Sequence, residues 1–264
     1  MKIIIKNFKF LINKILEKFN LRLIKFSNYS TLLKYKLKSF DMEFIKHMRL
    51  ENIYNIFKYI DLSQSQHRQD LFVLNELNFK KSGFFIEFGA GDGKYLSNTY
   101  LLEKEFNWSG ILVEPARIFH EKLLINRNCI IDKNSVWKNS NSKLRFNETN
   151  KPELSMLKLY EGFDSIDRSY KNSYDVETIS LNDLLIKYQA PKIIDYLSID
   201  VEGSEYDILC DFNFRKYQFK VITCEHCFDK NRMLINNLLL KNGYIQRFEK
   251  ISKVDDWYIN PSKI

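Results

Sequence analysis

Residues 84–100 read FFIEFGAGDGKYLSNTY. Five residues, Phe84 to Phe88, make a short apolar run interrupted by one acid, Glu87, and the run meets Gly89, Gly91 and Gly93. Helical spacing resumes at Leu96, Tyr100, Leu101 and Phe106. A buried strand, a glycine turn and a helix in that order place a ligand at the strand's carboxyl end.

The pattern repeats on both sides. GILVEP (110–115) is a second strand stopped by Pro115, followed by a helix through Phe119, Leu123 and Leu124, and CII (129–131) is a third. ISLNDLLIKY (179–188) is a helix with Ser180 as N-cap and Asp183 three residues on. IIDYLSID (193–200) and FKVITCEH (219–226) are strands, each followed by a helix, the second ended by Gly243. YIQRFEKI (244–251) and VDDWYI (254–259) form a closing strand pair. Alternating strands and helices predict an α/β, Rossmann-like, doubly wound and mostly parallel sheet. Residues 138–177 break the alternation and read as a hairpin plus a long loop shaping a binding site.

Two segments follow from composition, a basic helical extension over 1–60 and a main domain over 61–264. Residues 1–60 hold 13 Lys/Arg against 4 Asp/Glu, a balance of +9, while the remainder carries −1. The basic pI is therefore no sign of a nucleic-acid-binding core. Ile4, Phe8, Leu11, Ile12, Ile15, Phe19, Leu23 and Phe26 share a helical face with lysines around it, but no apolar run approaches the roughly 20 residues of a spanning helix. Two readings stand: a helix lying on an anionic membrane surface, or one packed on the main domain or a second copy. A second helical stretch, MEFIKHMRLENIYNIFKYI (42–60), links it to the core, with His47 at its surface. Four cysteines, Cys129, Cys210, Cys224 and Cys227, suit a reducing cytosol, and C-E-H-C lacks the second ligand pair of a zinc site.

The turn's charge selects its ligand. A dinucleotide fingerprint spaces its glycines G-x-G-x-x-G, whereas here the third comes one place early. Glu87 and Asp92 bracket the turn and would repel a pyrophosphate, which disfavours NAD. A cation reverses that logic, and S-adenosylmethionine carries a sulfonium and an ammonium with no phosphate. Gly89, Ala90, Gly91, Asp92 and Gly93 are candidate cofactor contacts, with Glu87 as negative field or as a capping, ion-paired acid. Glu114 is placed for both ribose hydroxyls, and the adenine is expected near Asp132 and Ser135.

The string FFIEFGAGDGKYLSNTYLLEKEFNWSGILVEP resembles the FkbM-type methyltransferases, as do APKIIDYLSIDVEGSEYDIL, the upstream SQ…RQDLFVL, NRNCI and the terminal DDWYIN. The likeness runs from about residue 63 to 260 in unbroken order, and Cys227 stands where relatives often carry Asn. It implies a class I fold, S-adenosylmethionine, and O-methylation of sugars or related hydroxyls.

SIDVEGSE (198–205) puts Asp200 and Glu202 at a strand end, on one face by alternation and with no evident basic partner. Asp200, or His226, is the candidate base for an acceptor hydroxyl, with Glu202 and Glu225 orienting. A divalent cation on Asp200, Glu202 and Glu225 ranks below metal-free catalysis. His67 and Arg68 are candidates to close over the methionyl tail, and His120 reads as a surface helix residue. The expected partner is a sugar, glycan or glycolipid acceptor in the cytoplasm or at the inner membrane face. The rival is a catalytically silent membrane-surface glycan-binding or scaffold protein of the same fold.

Overall fold

The structure, a computed structural model, describes residues 39–162, 166–226 and 231–264. The expected amphipathic helix at the N-terminus and Cys227 lie outside them. The chain forms two compact units, Met1–His47 and Met48–Ile264. In the first, residues 39–46 are helical. The second opens with a 3-10 turn, Leu50–Asn52, and α1, Ile53–Tyr59, so the 42–60 stretch is not one continuous helix. Among the described residues no helix is long and apolar enough to cross a membrane.

The second unit is built on seven strands: β1 (Phe84–Phe88), β2 (Ser109–Val113), β3 (Ile130–Asp132), β8 (Ile193–Ile199), β9 (Gln218–Glu225), β10 (Ile245–Arg247) and β11 (Asp255–Ile259). Their order across the sheet is β10-β11-β9-β8-β1-β2-β3. From β9 to β3 all neighbours are parallel; β11 runs antiparallel to β9, and β10 to β11. This is the doubly wound sheet expected, with the closing strand pair as its antiparallel edge.

Strand alternation divides the residues between two faces. Ile86, Phe88, Ile111, Val113, Leu197, Ile199, Ile222 and Tyr258 share a core with Leu184 and Leu185 of α5 (Leu181–Lys187), Ile208 and Leu209 of α6 (Glu205–Cys210), and Ile235 and Leu239 of α7 (Asn231–Lys241). On the opposite face Phe72 of α2 (Gln69–Glu76) stacks on Trp257 of β11, ring centroids 4.7 Å apart. Ser180 caps α5 as expected, its hydroxyl accepting from Asp183 N at 3.1 Å.

The fold departs from the sequence reading at two further places. The glycine turn does not run straight into a helix. Residues 89–99 form a compact succession of turns, and the next helix, α3, spans only Tyr100–Phe106. Residues 138–177 are more than a hairpin and a loop. They supply β5 (Lys143–Thr149), β6 (Met156–Leu157) and most of β7 (Tyr170–Ile179), which with β4 (Ser135–Val136) form a second sheet, β4-β7-β5-β6. Phe146, Met156, Leu157, Tyr160 and Val176 give it a small core shared with Ala116.

The turns after β1 are held by one buried cation. Arg127, at the end of α4 (His120–Asn126), has a fully buried side chain. Its Nε donates to Glu103 at 2.6 Å, and its other nitrogens donate to the Gly93 carbonyl, the Ser97 hydroxyl and the Thr99 hydroxyl. Glu87 lies 3.6 Å from the same guanidinium. Removing one partner of a buried ion pair strands the other charge. Arg127→Met is expected to destabilise the protein by about 3–5 kcal/mol in chemical denaturation. A loss near zero would show that the pair does not hold the loop.

Candidate active site

The carboxyl ends of β1, β2 and β8, together with the second sheet, line a crevice that is partly open to solvent. Its wall comprises Gly89 to Asp92, Glu114, Ser135, Asp200 and Glu202, with Phe88, Phe119, Phe146 and Leu157 as apolar lining.

Each glycine of the turn has its own reason. Gly89 has φ +73°, and a Cβ there would sit 1.8 Å from the Asp200 carbonyl oxygen. The close approach of the β1 and β8 ends therefore requires glycine. Gly93 packs on Leu123 and Arg127 in the same manner. Gly91, at φ +54°, has nothing within 4 Å of its Cβ direction and lines the crevice. It keeps space open rather than filling a packed contact. Asp92 closes the loop locally, its carboxylate accepting from Lys94 N and Tyr95 N.

Glu87 does not line the crevice. Alternation turns it to the other face of the sheet, where it is 3% exposed. There its carboxylate accepts from Asn98 N at 2.6 Å and from the Ser97 and Thr99 hydroxyls. Its role is the capping and ion-paired one. Glu114 does line the crevice. One oxygen accepts from Gly91 N and the other from Ala116 N, both at 2.7 Å. Each oxygen keeps a further lone pair, so a diol can be taken without breaking the turn. Burial pushes its carboxyl up to about 7. Ser135 stands at the crevice, whereas Asp132 is buried beneath it and accepts from Lys187 Nζ and Tyr188 Oη.

Asp200 and Glu202 sit in the turn beyond β8, which ends at Ile199. Strand alternation therefore does not orient them, and Glu202 takes φ +60°. Asp200, Val201 and Glu202 all line the crevice. Glu205 folds back from α6 to accept from Val201 N and Gly203 N, fixing the turn. The carboxyl groups of Asp200, Glu202 and Glu225 converge to within 4.8 Å of one another. Burial pushes Asp200 up to about 8; a hydrogen bond with Glu225 opposes this, while Glu202, Asp255 and Glu205 add to it. Asp255, beside Glu225 in register, is raised to about 6 by burial and accepts from Gln69.

Glu202, expected to lack a basic partner, has one: the Arg168 guanidinium donates to it, with both side chains buried. A divalent cation on this triad would compete with that guanidinium for a Glu202 oxygen. His226 lies outside the crevice lining, buried, with Nε2 3.6 Å from Asp256. His67 and Arg68 do not line it either. His67 is held down to about 4 by burial and by Lys253, and Arg68 reaches the Ser63 carbonyl. His120 is no plain surface residue, since its Nε2 donates to the Glu114 carbonyl at 2.9 Å.

Sequence reasoning missed Arg127, Arg168 and the second-sheet residues Phe146 and Leu157. Arg127 had one usable signal, a single arginine just before a strand. Arg168 had none.

The methyltransferase FkbM domain family matches residues 87–246 of this chain. No curated protein matches. Among solved structures, the chain is similar to the methyltransferase FkbM from Methylobacillus flagellatus KT, with 12% identity and a TM-score of 0.46, covering 85% of this chain and 59% of that one. It is also similar to the precorrin-6y C5,15-methyltransferase from Geobacter metallireducens GS-15, with 12% identity and a TM-score of 0.37, covering 72% of this chain and 85% of that one.

The raised carboxyl groups carry a pH signature. Folded Asp200 and Glu114 hold protons that the unfolded chain has already released, so stability falls as pH rises from about 5 to about 8. Melting of the free protein is expected several degrees lower at about pH 8 than at about pH 5, with Asp200→Asn flattening the upper part of the curve. A melting temperature that climbs across this range would contradict the assignment.

Proposed function

The chain belongs to the FkbM methyltransferase family, and we propose that it moves a methyl group from S-adenosylmethionine to a hydroxyl of a sugar, glycan or glycolipid. The family makes it a methyltransferase with the class I fold. The observation that carries the rest is the charge of the crevice. A glycine turn and the carboxyl groups of Glu114, Asp200 and Glu202 surround one space, a setting for a cation rather than a pyrophosphate.

The residues present fit that cofactor. Glu114 and Ser135 would hold its ribose and adenine ends, Gly91 leaves the backbone bare for close approach, and Asp200 with Glu202 supplies negative field for its cationic end. When bound, S-adenosylmethionine supplies an already activated methyl group, which leaves the protein to align and to manage a proton. Asp200 is suited to that proton. Burial and neighbouring acids bring its carboxyl near the operating pH, where a group both takes and releases protons readily. Glu225, in hydrogen-bond contact with Asp200, shares the proton and keeps the pair from being fully ionised. His226 pairs with Asp256 rather than with Asp200, so this reading gives the role to the Asp200–Glu225 pair.

The second sheet forms the acceptor side in this reading. Phe146 and Leu157 offer apolar surface and Pro152, Glu153 and Ser155 a more polar lip, which suits the mixed faces of a sugar ring.

Two experiments check the reading. A methyl-label transfer assay against a panel of cell-surface sugars and nucleotide sugars is expected to label a hydroxyl acceptor, with or without chelator. Label on a ring nitrogen, or on no sugar, would overturn the acceptor class. Gly91→Val, which puts a branched side chain into the crevice at positive φ, is expected to weaken S-adenosylmethionine binding at least about tenfold while the fold is kept. Unchanged affinity by calorimetry would remove the cofactor from this crevice.

A further inference from the structure

The first helical elements of the Met48–Ile264 unit carry apolar side chains on two faces. One face is packed. Ile56 of α1 is fully buried, and the Tyr59 ring meets the Phe106 ring of α3 with centroids 4.8 Å apart. Asn52 Nδ2 donates to the Asn75 carbonyl of α2, and the Arg49 backbone N–H donates to the Asn75 side chain, both at 3.0 Å. The other face looks outward. Leu50 is 86% exposed, Tyr54 78% and Phe57 55%. Steps of four and then three residues put them on one side of the helix. A helix face that meets only water is normally polar. Exposed apolar residues scattered singly are common, but a row of three large ones marks a contact surface.

The charge near this row comes from the chain before it. Arg49 and Lys58 are balanced by Glu51 and Asp61. Residues 1–38, which end twelve positions before Leu50, hold ten Lys/Arg and one acid, Glu17, with apolar residues at helical spacing between them.

We propose that Leu50, Tyr54 and Phe57 are the apolar contact of this protein with an anionic lipid surface, and that the basic residues 1–38 supply the electrostatic attraction to it. A lipid interface answers both features. Leu and Phe side chains enter the acyl boundary, Tyr suits the headgroup level, and Lys and Arg are drawn to anionic headgroups. Each signal alone gives a weak, reversible contact, and the two together give a stable one. Because α1 is pinned through Asn52, Ile56 and Tyr59, the row is presented without an ordering cost. A second copy of the chain is a worse occupant. It would bring another ten cations to the same neighbourhood, like charge on like, whereas the headgroups carry the opposite sign. Nothing in this contact depends on the methyl acceptor.

The test uses the full chain in a sedimentation assay with vesicles of phosphatidylglycerol and phosphatidylcholine, or of phosphatidylcholine alone. The wild type is expected to bind the mixed vesicles in preference to the neutral ones, and more weakly as salt rises. Leu50→Gln/Tyr54→Gln/Phe57→Gln is expected to weaken that binding at least about tenfold. Its melting temperature should stay near the wild-type value, since the three side chains are exposed and glutamine suits a helix. Tyr54→Trp reads the contact directly. Its added indole should emit further to the blue on anionic vesicles and be quenched by brominated lipid. Full binding by the triple variant, an indole that brominated lipid leaves unquenched, or no binding of the wild type to anionic vesicles would overturn the proposal. So would self-association without vesicles that the triple variant abolishes, which would assign the row to a second copy. If the triple variant melts lower, quenching of the indole decides.

Discussion

Burying carboxyl groups side by side is costly, and the carboxyl rim of this sheet does so repeatedly. Three physical solutions appear within a short distance. Glu87 and Glu103 share the guanidinium of Arg127. Glu202 takes the guanidinium of Arg168. Asp200 and Glu114 are raised toward neutrality by burial, to about 8 and about 7. The first solution builds the glycine turn, the second fixes the wall opposite it, and the third leaves charge that a cationic guest can draw out. Fold and chemistry are linked here through a single quantity, the protonation state of the rim.

The second sheet turns that rim into a site. Without β5 and β6, the ends of β1, β2 and β8 would open more directly to solvent, where charges act weakly. Phe146 and Leu157 wall the crevice, Tyr160 packs against Gly203, and Arg168 reaches the acidic turn. The insertion therefore supplies enclosure, apolar lining and part of the electrostatics of the crevice.

Much of this was legible in the residues. Apolar runs bounded by glycine and proline marked the strands, and their alternation with helical stretches dictated the parallel sheet. Gly89 to Asp92, Glu114, Ser135, Asp200 and Glu202 do meet at one crevice, because right-handed crossovers bring every strand-to-helix loop to the same edge, whereas Gly93 packs on Leu123 and Arg127 instead. What escaped was whatever depends on pairing across the chain. Period-2 reasoning applied to Glu87 would have turned it away from the crevice, whereas the same reasoning misleads at Asp200 and Glu202, which lie past the strand end. Residues 89–99 passed for the start of a helix because Leu96 and Tyr100 keep helical spacing while φ at Leu96 is +60°. Arg168 meets Glu202 across 34 positions through a region without periodicity. No local pattern announces such a contact.

The sharpest check is the proton count on binding. Calorimetric titration of S-adenosylmethionine near pH 7, in two buffers of different ionisation enthalpy, reads how many protons leave the complex. If the crevice is a set of proton-bearing acids awaiting a cation, binding releases protons, and Asp200→Asn reduces that release. Binding that takes up protons, or that is indifferent to buffer in both proteins, would contradict the idea that charge at the rim is what holds the cofactor.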